Sequence, residues 1–256
     1  MIIDSHLHID VGGEFDEHLE SLLSAMDRVG IQRTCLMQGG GGRPRYAERE
    51  TIEQDSRLLM HAAESHPDRF YPMLWVNPCL PFAFLRDLVE RTILNGPICG
   101  IKLSVQMNAR DARLEPFAGF LQEHDVPVLF HSWYKTVEKR GFESDPSDLA
   151  SLARRFPGLR ILVAHITGGR YRGIQDIRPL PNMCVDTSGS QPEDGYLEYG
   201  LENLGPDRVL FGSDHPGRDL ATQLGRIASL ELDETTREKV LWRNAVRFFE
   251  GEVEDA

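Results

Sequence analysis

The sequence predicts an α/β fold of the (β/α)8 TIM-barrel class: a single domain over residues 1–256 with an extra C-terminal helix. Three observations predict it. Short apolar, β-rich runs alternate with amphipathic segments, and the alternation repeats eight times along the chain. Several runs are almost continuously hydrophobic, VPVLF at 126–130 and RILVA at 160–164 among them, as strands covered on both faces of a parallel sheet read. The length of 256 residues is close to the roughly 250 typical of such a barrel. An open doubly wound sheet is the competing architecture, because periodicity does not encode closure.

The elements follow in order. Strand signals fall at 2–8, 34–38, 71–76, 99–104, 126–132, 160–165, 183–188 and 208–213. The first helix, 18–29, places Leu19, Leu22, Leu23, Met26 and Val29 on one stripe at helical spacing. Further helices read at 47–65, 82–94, 115–124, 148–156, 193–204 and 220–230. Asp145, Pro146 and Ser147 supply breaker and cap signals ahead of the fifth helix. Gly30, Gly158 and Gly205 follow helices, where a left-handed residue is often needed. The weakest helix is 168–180, after the sixth strand, and a last helix at 234–250 is expected to pack across the barrel. No linker, charge block, low-complexity tract or longer repeat divides the chain.

Composition narrows the function classes. The net charge of −12 repels phosphate backbones and anionic membranes, so nucleic acid and lipid surfaces are excluded as expected partners and a small molecule is the expected substrate. No basic leader with an apolar run follows Met1, and no apolar stretch approaches the roughly 18 residues of a membrane span, so a cytoplasmic protein is expected. The four cysteines, Cys35, Cys79, Cys99 and Cys184, form no CxxC pair and read as reduced thiols rather than disulfides or a sulfur metal site. Barrels of this kind often pair, so a homodimer is an allowed assembly, although no segment marks an interface.

The chemistry concentrates at strand ends. His6 and His8 stand at i and i+2 of the first strand, on one side and about 6.5 Å apart along it. Two imidazoles placed so can converge on one ion, although a lone HxH is often only a polar strand end. His131 ends the fifth strand, His165 the sixth and Asp214 the eighth, and active sites of this fold collect at the C-terminal strand ends. Each residue alone reads as structural; the five together read as a metal site. Lys102 ends the fourth strand with three readings open: a carbamate bridging two metals, an ammonium facing substrate or a carboxylate, or a structural lysine at the rim. Trp75, Asn77, Trp133, Tyr134 and Lys135 are placed to shape a pocket. Arg43, Arg45, Arg170 and Arg172 suit a substrate carboxylate, and the glycines at 39–42 read as a flexible loop, with a lid or anion nest as the functional alternative.

The pieces DSHLH (4–8), GIKL (100–103), LFHS (129–132), LVAHITGG (162–169), CVDTSG (184–189), LFGSDHP (210–216) and WRNAVRFF (242–249) resemble, in order and over nearly the whole chain, the amidohydrolase superfamily. Within it the chain is similar to the amidohydrolase-2 group of small metal-dependent hydrolases and decarboxylases. The resemblance implies a divalent metal, zinc first with manganese or iron as alternatives, and one ion ahead of two. It implies His6, His8, His131 and Asp214 as ligands of that ion. It implies His165 as the group that polarises substrate or carries a proton, or, with a carboxylated Lys102, as a ligand of a second ion. The compact loop at 10–17 departs from larger relatives and carries no specificity across. The expected activity is metal-dependent hydrolysis of a small carboxylate-bearing or cyclic ester or amide, with Asp214 as general base and His165 and Lys102 as catalytic partners. Decarboxylation of an unsaturated or aromatic acid is the first alternative; a metal-free lactonase-like site or a non-catalytic ligand-binding barrel is the second.

Overall fold

A computed structural model describes residues 1–9, 14–39, 45–135, 137–190 and 194–251. The glycine run therefore lies outside the described residues beyond Gly39, as do Arg43 and residues 10–13 of the first loop. The strands are β1 (Ile3–Ile9), β2 (Arg33–Gln38), β3 (Phe70–Trp75), β4 (Gly100–Leu103), β5 (Val128–Phe130), β6 (Ile161–Val163), β7 (Met183–Asp186) and β8 (Val209–Leu210). They pair in parallel in simple sequence order from β1 to β8.

Closure runs through the chain just after β8. The Ser5 N–H donates to Phe211 O at 2.8 Å, the Asp214 N–H to His6 O at 2.7 Å, and the His8 N–H to His215 O at 2.7 Å. These bonds close the ring against β1 and decide for the barrel over the open sheet. They also bind the two segments that carry His6, His8 and Asp214 directly to each other.

The helices are α1 (Phe15–Val29), α2 (Arg49–Ser65), α3 (Phe82–Val89), α4 (Glu115–Glu123), α5 (Pro146–Arg155), α6 (Ile166–Ile177), α7 (Tyr196–Leu204), α8 (Leu220–Ala228), α9 (Glu234–Glu238) and α10 (Asn244–Glu250). The stripe of α1 buries Leu19, Leu22, Leu23 and Met26, each stabilising the fold by roughly 1.5–3 kcal/mol. Asp145 caps α5, its carboxylate accepting from the Ser147 and Asp148 N–H groups in a capping box with Asp148. Two expected helices contain a π-helical turn: α3 ends in one at Glu90–Leu94, and one at Lys239–Arg243 joins α9 to α10.

The segment after β6, the weakest helix in the sequence, is nonetheless helical, with a break at Arg170 (φ 53°, ψ −174°). Its glycines serve packing. A Cβ on Gly168 would stand 2.5 Å from the Trp133 ring, and one on Gly173 would stand 2.8 Å from Pro146 Cγ.

Two apolar layers result. One joins the helices to the outside of the barrel. The other fills the barrel and its N-terminal end, where Ile3, Cys35, Tyr71, Leu129, Leu162 and Leu210 meet Ala245, Phe248 and Phe249 of α10. Tyr71 stacks on Phe249 with ring centroids 4.7 Å apart. The last helix thus seals the bottom of the barrel, leaving the C-terminal mouth as the open end. All four cysteines are free, and among the described residues no helix is long and apolar enough to cross a membrane.

Candidate metal centre

β1 delivers its two histidines across an irregularity. Its register against β2 shifts between Asp4 and Leu7, a bulge of the kind that re-aims side chains at barrel rims. His6 Nε2 and His8 Nε2 come to 3.2 Å from each other. Asp214 Oδ1 lies 3.6 Å from the first and 3.7 Å from the second. Asp214 holds this position with a left-handed backbone (φ 61°), a strain that a non-glycine residue accepts where surrounding structure fixes it.

The far edges of both rings fix their protons. His6 Nδ1 is 2.7 Å from Asp186 Oδ2, and His8 Nδ1 is 3.2 Å from the Gln38 carbonyl. Both partners are acceptors, so each Nδ1 carries the proton and each Nε2 presents a lone pair. Two lone pairs at 3.2 Å with a carboxylate oxygen beside them repel one another unless positive charge stands near. The Lys102 ammonium, 3.2 Å from His6 Nε2, supplies part of it from one side, and the space among the three donors suits an ion. Donors about 2.1 Å from one ion lie about 3.0–3.4 Å apart. The two imidazole nitrogens at 3.2 Å stand in that range and Asp214 Oδ1, at 3.6 and 3.7 Å, a few tenths beyond it, so a small inward shift of the carboxylate fits the set to a divalent metal.

Asp186 organises the rest. Besides His6, its Oδ1 accepts the His165 N–H at 3.0 Å, the Ser188 N–H at 2.9 Å and the Ser188 hydroxyl. Ser188 Oγ in turn stands 2.9 Å from His165 Nδ1, and His165 Nε2 stands 3.2 Å from His131 Nδ1. A second group of metal-competent atoms, His6, His165 and Asp186, is therefore already consumed by its own hydrogen bonds. His131 pairs with His165 and is not part of the His6, His8 and Asp214 cluster.

Lys102 Nζ lies 3.2 Å from His6 Nε2, with the side chain buried. Burial brings its ammonium down to about 8, against the pull of Asp214 and Asp186. Burial, then the Lys102 charge, holds His8 down at about 3 and His131 at about 4. Burial also keeps His6 and His165 well below the usual imidazole range, so all four rings are neutral ligand-type bases at pH 7. Asp214 is pushed up to about 6 by burial, with Lys102 opposing.

His6, His8, Lys102, His131, His165 and Asp214 line one cavity of about 540 Å³, with Trp75, Ser104 and Arg218 in its wall. Trp75 is held by a close approach to Gly39 (φ 114°), where a Cβ would overlap the indole ring at 1.8 Å. An adjoining cavity of about 480 Å³ shares His131 and is lined by Trp133, Tyr134, Lys135 and Arg170. The other sequence candidates are engaged elsewhere. The Asn77 amide donates to Ala47 O, Arg45 lies over the Phe142 ring, and Arg172 lies over the Tyr134 ring.

Sequence reading gave no role to Asp186, Ser188, Asp4 or Arg218. Asp186 ends β7, and the strand-end criterion that found His131 and His165 points to it as well. Asp4 Oδ1 ties β1 to the chain after β8 by accepting the His6 N–H at 3.0 Å and the Ser213 N–H at 2.9 Å.

Solved structures share this architecture. A 5-carboxyvanillate decarboxylase from Sphingomonas paucimobilis superposes with a TM-score of 0.77 at 17% identity, covering 97% of this chain and 98% of that one. A 2,6-dihydroxybenzoate decarboxylase from Rhizobium gives 0.76 at 17% identity, with 97% and 98% covered. The 5-carboxyvanillate decarboxylase of Novosphingobium aromaticivorans, complexed with manganese and 4-hydroxy-3-methoxy-5-nitrobenzoic acid, gives 0.78 at 16% identity, with 98% and 96% covered. A search of curated proteins returned no match. The family profile described as amidohydrolase matches residues 3–251, and the chain belongs to the amidohydrolase family.

Proposed function

We propose that the chain is a mononuclear metal-dependent enzyme that removes CO2 from a small unsaturated or aromatic carboxylic acid. The observation that carries the metal is the trio of His6, His8 and Asp214 donors with their protons fixed away from the shared centre. His131 lines the same cavity and, turned away from His165, would complete the set as a fourth donor. Manganese stands beside zinc as the candidate ion, because the Novosphingobium decarboxylase is complexed with manganese. The same neighbours, decarboxylases of aromatic acids on this fold, move decarboxylation ahead of hydrolysis.

When bound, the ion supplies positive charge that orients the substrate and stabilises its developing anion. Asp214 uses Oδ1 in the trio and keeps Oδ2 to carry a proton. As the bond to the carboxyl carbon breaks, the electron pair stays on the substrate carbon, Oδ2 gives that carbon its proton, and CO2 leaves. Lys102 places its ammonium beside the charge that forms. His165, held through Nδ1 by Ser188, is the alternative proton carrier.

Hydrolysis of an ester, lactone or C–N bond is the second reading. It is the reading the family description names, and it uses Asp214 as the base for an attacking water. Turnover in 18O-labelled water separates the two. Release of CO2 with no label in the organic product supports decarboxylation; label in the product with no CO2 makes the protein a hydrolase.

A further inference from the structure

We propose that Arg218 holds a substrate carboxylate other than the one that reacts, so that under the decarboxylase reading, on which this rests, the substrate is a dicarboxylic acid. Arg218 follows Asp214 in the loop after β8 and lines the cavity beside His6, His8 and Lys102. Its guanidinium makes no close ion pair with a carboxylate among the described residues, Asp214 acting on it only at longer range. One Nη donates to the neighbouring Gly217 carbonyl, and Nε is buried with no acceptor. The indole N–H of Trp75, in the same cavity wall, is likewise buried and without an acceptor among the described residues. Buried donors are almost always satisfied in folded proteins, and two orphans around one cavity point to an acceptor that arrives with the ligand.

Lys102 and Arg218 are the cations of the lining and Asp214 is its carboxylate, with Asp186 adding a second negative charge from behind His6. A planar guanidinium matches a carboxylate through paired hydrogen bonds.

The reacting carboxylate is the wrong partner. Decarboxylation moves negative charge off that group onto carbon while neutral CO2 forms. An ion pair to Arg218 would stabilise the ground state more than the transition state and slow the reaction. Arg218 therefore belongs to a carboxylate that persists through turnover, and acts as a specificity-determining residue.

The test is binding to the metal-free protein, followed by tryptophan fluorescence and calorimetry. The probes are isophthalate against 3-carbamoylbenzoate and terephthalate against 4-carbamoylbenzoate, pairs that differ by one charge. The wild type is expected to prefer the dianion at least tenfold in one pair. Arg218→Ala should erase that preference while its thermal midpoint stays near wild type, and Arg218→Lys should keep part of it. Equal binding within both pairs, or a preference that survives in Arg218→Ala, overturns the proposal. The labelled-water assay reports separately on the reaction: a lost preference with CO2 release intact removes only the Arg218 role. A hydrolase outcome with the preference intact removes the dicarboxylic assignment and leaves Arg218 as a carboxylate anchor.

Discussion

Asp186 Oδ2 lies 2.7 Å from His6 Nδ1, on the edge of the imidazole opposite the nitrogen that faces His8 and Asp214. A carboxylate in that position fixes the tautomer, orients the ring and raises the basicity of Nε2. Asp186→Asn should therefore weaken metal binding by about 10–100-fold while leaving the metal-free fold intact. Competition with a chromophoric chelator measures the affinity. Wild-type affinity in the variant would mean that Asp186 serves only the β7 turn.

Asp214 contributes both to the trio and to proton transfer in this account. Asp214→Asn is expected to lower turnover by about 10²–10⁴-fold, with circular dichroism and thermal midpoint unchanged. Retained turnover would move the proton to His165, and His165→Asn would then carry the large loss.

Lys102 stands 3.2 Å from His6 Nε2 as an ammonium that burial has brought down to about 8. Lys102→Met should cut turnover by about tenfold or more and leave the metal content at one ion per chain. A fall in metal content from two would instead identify a carbamate bridge.

Asp4 is a buried carboxyl whose Oδ2 has no partner, and burial pushes it from 3.8 up to about 7. The raised value sets the sign. Between pH 4 and 7 the folded chain keeps a proton that the unfolded chain has released, so the stabilising contribution of the neutral acid is full below 3.8 and is lost as the pH rises through 7. Relative to Asp4→Asn, which retains the acceptor for the His6 and Ser213 N–H groups, the wild type should lose about 1.4 kcal/mol of stability per pH unit near pH 5, easing to about half that slope at pH 7. The difference should be flat above pH 8. Urea unfolding of both proteins across that range measures it, and a difference that rises with pH contradicts the assignment.

Much of the fold was legible because parallel strands buried on both faces leave near-continuous apolar runs, and helices leave a 3.6-residue stripe. Closure was not, since it depends on backbone hydrogen bonds from Ser5, His8 and Asp214 that no side-chain pattern records. The helix after β6 was obscured by Gly168 and Gly173, which read as breakers but admit Trp133 and Pro146 at close range. His6, His8, His131, His165 and Asp214 were found because strand ends point to one mouth. A strand end gives position but not ring orientation, and it is orientation that sets His131 Nδ1 against His165 Nε2. Arg218 left no signal, because a loop residue past Asp214 has no periodicity to betray the cavity it lines.

The most direct test of the central claim is metal content per chain of the wild type and of His6→Ala, His8→Ala and Asp214→Ala, each loaded with manganese or zinc and desalted. One ion in the wild type and a large loss of affinity in all three variants is the expected result. Two ions per chain, or one ion retained undiminished when any of the three is removed, would contradict a single metal held by His6, His8 and Asp214.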